Sequence, residues 1–309
     1  MKHFGQLAAV VMLGTSVLLG GCNGSSSSST GSAANNANLN LYVSDTPMDS
    51  AAHVNIVFTG VQIQGGYANG MMGSGTTTPI TFNFASPKNI DLMAQQGGNS
   101  AALLMNAAIP AGHYQWVRLM VDPAQCTITL SDGSVHPLVI PSGAQTGLKL
   151  VSGFDVATGG STDFTIDFNL RQAVTMSHGG YMMRPAMRMM NNIQVGSLNG
   201  SVSNTFTIGT TAISDPACSP AVYIYSGSGV TPVDINTTST IQPVTTESLT
   251  LNNTTGNYDY KAGFLATGSY TLAVTCAAAD DPSTADSLTF SATKTATVSS
   301  NQTTTVNFP

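Results

Sequence analysis

A run of methionines around a histidine is the part of this sequence that could do metal chemistry. Between Met176 and Met190 the chain carries His178, Met182 and Met183, followed by further methionines. Thioether and imidazole groups are soft ligands of the kind that periplasmic Cu(I) proteins use. A copper site would therefore draw on Met176, His178, Met182 and Met183, and periplasmic copper binding is one functional hypothesis.

The same run has a structural interpretation, which we favour. Read as one strand, it places alternate apolar side chains on one face, where methionine fills a core adaptably. Arg184 and Arg188 then lie on the opposite face. The residues of the apolar face are Tyr181, Met183, Met187 and Met189.

Two carboxylates flank a proline turn in Asp45-Thr46-Pro47-Met48-Asp49. Carboxylate oxygens are ligands that Ca²⁺ prefers, so Asp45 and Asp49 are candidates for a calcium site. The alternative is an Asx turn, in which Asp45 bonds its own backbone. We favour the turn.

Motifs for catalysis are missing from the sequence. It contains no zinc-protease helix motif, no nucleophile elbow, no P-loop and no dinucleotide-binding pattern. Glu247 is the only glutamate, so the paired carboxylates of a hydrolase would have to be aspartates that the fold brings together. We predict a non-enzymatic protein with no catalytic residue and no cofactor.

The N-terminal residues predict export. Lys2 precedes an apolar run from Leu7 to Leu19. A membrane-spanning helix needs about 20 apolar residues, so this run is too short to be one. Residues 1–21 are therefore predicted to be a signal peptide that is removed.

The four residues that close this segment, Leu19-Gly20-Gly21-Cys22, resemble a bacterial lipobox. The resemblance implies acylation of Cys22, for example with palmitate, and a lipid anchor in the membrane. Asn23 in the next position implies sorting to the outer membrane. Whether the folded body then faces the periplasm or the medium stays open.

Composition agrees with a cell-envelope protein. Only 8% of the residues are charged and the formal net charge is −6. Nucleic acid needs clustered Lys and Arg, so it is excluded as a partner. An envelope protein or a glycan is the kind of partner that remains, which makes surface adhesion a second hypothesis.

The remaining cysteines suggest one disulfide. Cys218 and Cys276 lie in the same C-terminal region of an exported chain, so we expect them to pair. Such a bridge would stabilise the fold by about 4 kcal/mol in the chain-entropy model. Cys126 sits in an apolar alternation and is expected to be a buried free thiol.

Period-2 patterns dominate the rest of the chain and predict an all-β protein with two antiparallel β-sandwich domains. Residues 22–38 are a Ser/Gly/Asn-rich tether, which as a flexible coil would reach roughly 20 Å. The first domain is assigned to residues 39–193 and the second to residues 194–309. One short segment, Ser100 to Ala107, has helix-forming composition and is predicted to be helical.

Two further expectations concern particular side chains. Tyr114 and Trp116 alternate with core positions and could form a sugar-stacking face, although a Trp packed under a loop is the favoured interpretation. If residues 161–170 and 181–190 form a hairpin, Asp167 would face Arg184, and Asp163 would face Arg188. Such cross-strand pairs would fix the register.

Several ordered blocks between residues 38 and 192 resemble the DUF4382 family, including LYVSDTPMDSAAHVNIVFTGVQI and GLKLVSGFDVATGGSTDFTIDFNLRQAVT. This resemblance implies a β-sandwich lipoprotein domain and carries over no catalytic residue. The block GNYDYKAGFLATGSYTLAVTC resembles a carboxypeptidase-regulatory or transthyretin-like module. That second resemblance implies an accessory domain that acts as a spacer or a binding unit.

Overall fold

A computed structural model describes residues 36–48, 50–65, 78–141, 143–177, 180–235, 238–280 and 287–309. The predicted signal peptide, Cys22 and almost all of the tether lie outside these residues, so the predictions made for them stay predictions. Residues 35–309 form one compact unit.

Thirteen strands come from residues 36–191. They are β1 (Asn36–Thr46), β2 (Ala51–Gly65), β3 (Ile80–Asp91), β4 (Ala101–Pro110), β5 (Gly112–Val121), β6 (Thr127–Leu130), β7 (Val135–Val139), β8 (Leu148–Leu150), β9 (Phe154–Val156), β10 (Ser161–Asn169), β11 (Val174–Ser177), β12 (Gly180–Met183) and β13 (Met187–Asn191). Two single-turn helices interrupt them: α1 (Gly143–Thr146) and α2 (Leu170–Ala173). Short 3-10 turns span Leu92–Gln95 and Asn192–Gln194.

Ten further strands come from residues 195–305. They are β14 (Val195–Val202), β15 (Thr207–Ile208), β16 (Thr211–Ala212), β17 (Ala221–Ser226), β18 (Thr245–Ser248), β19 (Thr250–Leu251), β20 (Tyr258–Ala266), β21 (Gly268–Thr275), β22 (Lys294–Val298) and β23 (Thr303–Thr305). A 3-10 turn spans Ala278–Asp280. The protein is all-β, as predicted.

The first sandwich packs a four-stranded sheet against a nine-stranded one. The smaller sheet has the order β13-β10-β1-β4, and the larger follows β11-β12-β7-β6-β2-β5-β8, with β3 added to β2 and β9 added to β5. Buried Leu, Ile, Val and Phe side chains from both sheets form one continuous core. Most neighbours are antiparallel, but β1 pairs with β10 in parallel, so both strands end at the same edge.

The second sandwich is built from two four-stranded sheets, β19-β20-β14-β23 and β18-β17-β21-β22, with the small hairpin β15-β16 beside them. A disulfide joins Cys218 and Cys276, with Cα atoms 4.6 Å apart, which confirms the predicted pairing. Cys126 is buried and free, also as predicted. Its Sγ donates a hydrogen bond to the Asp122 carbonyl at 3.3 Å, and burial raises the pKa of this thiol.

Each sandwich contains a tyrosine that hydrogen-bonds to the backbone four residues before it. Tyr114 Oη donates to the Pro110 carbonyl, and Tyr270 Oη donates to the Ala266 carbonyl, both at 2.7 Å. In each case a glycine with positive φ, Gly112 or Gly268, starts the strand two residues before the tyrosine. This is the tyrosine-corner device by which immunoglobulin-like sandwiches fix a strand crossover.

The helix predicted for residues 100–107 is wrong, because this segment lies in strand β4. Its helix-forming Leu and Ala residues pair antiparallel with β1, where Leu103 and Leu104 enter the core. Asn106 adopts φ of 51° at a bulge, and its N–H donates to Asn40 Oδ1 at 2.7 Å. Backbone hydrogen bonding to β1 stabilises this segment as a strand by more than its weak helix propensity favours a helix.

The single strand predicted for residues 181–190 is also wrong. The chain leaves one sheet after Met183 and joins the other at Met187, so β12 pairs with β7 while β13 pairs with β10. Pro185 lies in the connection between β12 and β13. Its lack of a backbone N–H costs no sheet hydrogen bond there. The apolar assignment itself is supported: Met183 is buried, and Tyr181, Met187 and Met189 pack against the same core.

The register predicted for the two arginines changes with this break. Asp167 pairs with Arg188 instead of Arg184. Asp163 accepts a hydrogen bond from Asn40 Nδ2 at 2.7 Å, on the neighbouring strand β1. Both predicted ion pairs are therefore incorrect, because they assumed an unbroken hairpin.

Candidate functional site

Buried charged residues concentrate where the two sandwiches meet. Because β1 and β10 run in parallel, Asp45 and Asp167 reach the same edge of their sheet. Strand β18 of the second sandwich brings Glu247 to this edge. These three carboxylates are 3%, 5% and 5% exposed, so nearly all of their surface is removed from water.

Asp167 is neutralised by its neighbours. Its Oδ1 accepts a hydrogen bond from Ser44 Oγ at 3.0 Å. Its Oδ2 lies 2.9 Å from Arg188 Nε and 2.7 Å from Arg188 Nη2. Charge-assisted contacts of this kind compensate the burial of a carboxylate.

Asp45 has no comparable compensation. Among the described residues, neither of its carboxylate oxygens has a hydrogen-bond partner of good geometry. Burial is the main cause that raises the pKa of Asp45 well above its usual range, and the nearby Asp167 charge adds to it. The backbone amides of Thr46 and Leu170 offset only part of this rise. Asp45 is thus favoured in its protonated form.

Glu247 is in a similar state. Its Oε1 accepts a hydrogen bond from Thr245 Oγ1 at 3.4 Å. Burial, and then the negative charge of Asp167, raise the pKa of Glu247 well above the usual value, while Arg188 and Arg171 act against this rise. Two of the three buried acids at the junction therefore favour the neutral state.

Two further hydrogen bonds complete the junction. Thr46 Oγ1 and Thr245 Oγ1 are 2.9 Å apart, so one hydroxyl donates to the other across the two sandwiches. Arg171 Nη1 donates to the Ala278 carbonyl. These contacts join the ends of β1 and α2 to the second sandwich.

A second contact brings two glycines together. An added Cβ on Gly263 would lie 2.4 Å from the Gly98 Cα, so the backbones of the loop before β4 and of β20 touch directly. Any larger residue at position 263 would force these two segments apart.

A cavity of about 320 Å³ opens beside the polar cluster. Its lining residues are Asp167, Asn169, Gln172, Pro185, Ala186, Met187, Arg188, Gln242, Pro243 and Val244. Asp45 and Glu247, the acids with raised pKa values, are not among them. The one acid that faces the cavity is held by Arg188. The cavity therefore presents amide groups and a closed ion pair, with no free general acid or base among its lining residues.

No group of three or more His, Cys, Asp or Glu side chains among the described residues could hold a metal ion. Asp49 and His178 lie outside those residues, so the calcium and copper hypotheses stay untested at these two positions. The thioethers, however, do not converge. Met176 is 71% exposed and Met183 is buried, while Met182 directly precedes Met183 on the same strand and faces the other side of the sheet.

The two aromatic residues on β5 separate. Tyr114 is buried against Phe154, with ring centroids 5.1 Å apart, so the expectation that it is exposed is wrong. A register shift between Tyr114 and Trp116 changes which side chains face inward. Trp116 stays half-buried on the outer face, where Lys149 Nζ lies 4.4 Å and Arg118 Cζ 5.2 Å from its ring centroid.

Sequence reasoning missed the junction cluster. Glu247 follows the β-branched residues Val244-Thr245-Thr246. A single acid in a strand-forming segment is the one feature of the sequence that could have indicated a buried, functionally important carboxylate. Nothing in the sequence indicated that Glu247 would approach Asp45 and Asp167, because Glu247 is far from both in sequence and meets them only through the docking of two sandwiches.

No curated protein matches this chain. Among solved structures, it is similar to the major pilin subunit BcpA of Bacillus cereus, with 11% identity, a TM-score of 0.22, and coverage of 84% of this chain and 60% of the pilin. A protein described as an adhesin from Bacteroides ovatus gives 8% identity and a TM-score of 0.23, covering 89% of this chain and 93% of the adhesin. The fimbrial anchor protein Mfa2 from Porphyromonas gingivalis gives 10% identity and a TM-score of 0.20, covering 77% and 78%.

TM-scores of this size support no argument about function. The resemblance of residues 194–309 to a carboxypeptidase-regulatory module stays a prediction. In the first sandwich, by contrast, residues 36–185 match the family described as a domain of unknown function, DUF4382, and the chain is similar to that family over this region.

Proposed function

We propose that this protein is a non-catalytic binding or structural module of the bacterial cell envelope, held to the membrane by a lipid on Cys22. One observation carries the non-catalytic part. The buried acids with raised pKa values, Asp45 and Glu247, do not line the cavity, and the acid that does, Asp167, is held by Arg188. A glycoside hydrolase would need a protonated acid that reaches its substrate.

The junction residues support a structural role instead. Hydrogen bonds between Thr46 and Thr245, and between Arg171 and the Ala278 carbonyl, tie the two sandwiches into one body. A compact two-domain body on a tether suits a protein that presents a surface to a partner at some distance from the membrane.

Membrane attachment is inferred from the sequence around Cys22. No helix among the described residues is both long and apolar enough to cross a bilayer. Two acyl chains would suffice for stable anchoring, because each buried CH₂ contributes about 0.8 kcal/mol.

Fractionation of cells that express the full chain tests this proposal. The native protein should incorporate labelled palmitate and sediment with outer membranes. A Cys22→Ala variant should lose the label and either appear in soluble fractions or keep its signal peptide. A Cys126→Ala variant is the matched control and should keep both label and location. Native protein without label that fractionates like Cys22→Ala would refute the anchor.

A further inference from the structure

The outer face of the larger sheet carries a row of polar residues that crosses four strands. Thr81 on β3 lies opposite Gln62 on β2, Gln62 lies opposite Arg118 on β5, and Arg118 lies opposite Lys149 on β8. With neighbouring strands about 4.8 Å apart, this row extends roughly 14 Å. Trp116, the only tryptophan of the chain, lies beside it.

Hydrogen bonds order the row from one end. Gln62 Nε2 donates to Thr81 Oγ1 at 3.1 Å, and Arg118 Nη1 donates to Gln62 Oε1 at 3.1 Å. The Gln62 amide thus holds one side of the guanidinium in place. This arrangement positions Arg118 without neutralising it.

At the other end two cations share one aromatic ring. Arg118 and Lys149 are directly opposite each other in the register, and like charges in that relationship destabilise a sheet. Both lie over Trp116, which offsets part of this cost. Neither has an ion pair with an acid in the described part of the chain.

The nearby acids do not supply the missing charge. Asp155 on β9, along the same edge of β5, is engaged with His113 Nδ1 at 2.9 Å. The chain segment 66–77 that connects β2 to β3 contains no Asp or Glu. The protein has a net charge of −6 and only nine Lys and Arg residues. The two cations without an ion pair beside the single tryptophan therefore form a positively charged patch on an otherwise acidic chain.

We propose that this row, Thr81, Gln62, Arg118, Lys149 and the adjoining Trp116, is a binding site for a carboxylated polysaccharide. A guanidinium accepts a carboxylate in bidentate geometry, and the ammonium adds a second point of charge. The indole holds both cations in place, while the Gln and Thr side chains match sugar hydroxyls. A row of side chains that crosses four strands suits an extended polymer.

Nucleic acid fits this face less well. Its binding depends on neutralising many phosphates, and this row carries only two cations, Arg118 and Lys149. The inference names the ligand class for the binding role proposed above and does not depend on the lipid anchor, since it concerns side chains of the folded body alone.

Affinity electrophoresis of the mature full chain tests the site. Native gels would contain polygalacturonate, the neutral polymer dextran, or single-stranded DNA. We expect retardation by polygalacturonate that weakens with salt, and none by dextran or DNA. Loss of one charged hydrogen-bonding partner should weaken binding about tenfold or more, so Arg118→Gln and Lys149→Gln should each lose most of the retardation. Trp116→Ala should lose it as well.

Lys294→Gln is the matched control, because Lys294 also lies over an aromatic ring, Phe308, but on the second sandwich. It should bind polygalacturonate like the native protein. The urea midpoint of Lys149→Gln should stay close to the native value, which separates lost binding from lost folding. Any one of four results would overturn the proposal. The first three are no retardation of the native protein by polygalacturonate, equal retardation by dextran, and stronger retardation by DNA. The fourth is that Arg118→Gln and Lys149→Gln each bind polygalacturonate as strongly as the native protein does. A normal Cys22-dependent fractionation with no polygalacturonate binding would refute this site and leave the anchor intact.

Discussion

Arg188 on β13 contacts Asp167 on β10 through two nitrogen atoms, Nε at 2.9 Å and Nη2 at 2.7 Å from the same carboxylate oxygen. The other oxygen of Asp167 accepts from Ser44 on β1. One arginine thus neutralises the central acid of a cluster that also contains Asp45 and Glu247. Without it, three carboxylates would share a site that excludes most water.

Arg188→Met should therefore destabilise the fold by roughly 3 kcal/mol, the low end for breaking a buried pair, because Arg188 keeps partial access to solvent. Urea unfolding at pH 7 measures the loss. Arg184→Met is the matched control, since Arg184 is exposed in the connection before β13, and it should change stability by about 0.5 kcal/mol or less. Equal losses in both variants would contradict the observed register.

Glu247→Gln should stabilise the protein at neutral pH. The pKa of Glu247 is raised, so the native state holds a proton that the unfolded state releases above its ordinary value of 4.5. Stability from this group is complete below that value and falls as pH rises toward the native pKa, by at most about 1.4 kcal/mol per pH unit. Glutamine keeps the uncharged form and removes this decline. Urea unfolding between pH 4 and pH 8 would show the curves of variant and native protein diverging as pH rises.

Asp132→Asn provides the control with opposite sign. Hydrogen bonds from Ser134 lower the pKa of Asp132 below 3.8, so its contribution is present above that value and is lost as pH falls. The variant should be the less stable one at neutral pH, with the difference closing in acid. A Glu247→Gln variant that is less stable than native protein at pH 7 would show instead that Glu247 is ionised and paired with its arginine neighbours.

The disulfide leads to a third prediction. Cys218 and Cys276 are 58 residues apart in sequence. Opening this loop should cost about 4 kcal/mol in the chain-entropy model, so Cys218→Ser with Cys276→Ser should lower the urea midpoint strongly. Alkylation of mature protein in denaturant without reductant should modify only Cys126. Alkylation at three cysteines under these conditions would contradict the bridge.

The methionines lead to a fourth. Met183 is buried in the first core, so Met183→Leu conserves volume and should cost less than about 1.5 kcal/mol. Cu(I) should not raise the melting temperature of native protein. A thermal shift that grows with copper and disappears in His178→Ala would overturn the core interpretation, because mass action gives about 2.7 kcal/mol at a hundredfold excess over Kd.

The local sequence pattern predicted correctly whether a side chain is buried where this depends only on the strand that carries it. The alternation along β1, β5 and β10 predicted strands, and the apolar positions of Tyr181, Met183, Met187 and Met189 do contact the core. The pairing of Cys218 with Cys276 followed from their shared region and the predicted export of the chain.

Pattern failed where a break or a bulge changes the register. The connection at Pro185 moves the chain from one sheet to the other, and the shift beside Trp116 turns Tyr114 inward. A register shift of one residue moves every following side chain to the opposite face of the sheet. The alternation of apolar and polar residues does not show where such a shift occurs. The segment after Ser100 shows the same limit, since only the neighbouring β1 makes it a strand.

The sequence by itself determined that the chain is rich in strands, poor in charge and cross-linked in its C-terminal region, because these properties follow from composition and short-range order. Tertiary structure decided which charges meet. Asp45, Asp167 and Glu247 converge because two parallel strands end at one edge and a second sandwich docks there. Arg118 and Lys149 meet over Trp116 because β5 and β8 pair in register. Both arrangements join residues from separate strands, and only the folded chain brings those strands together.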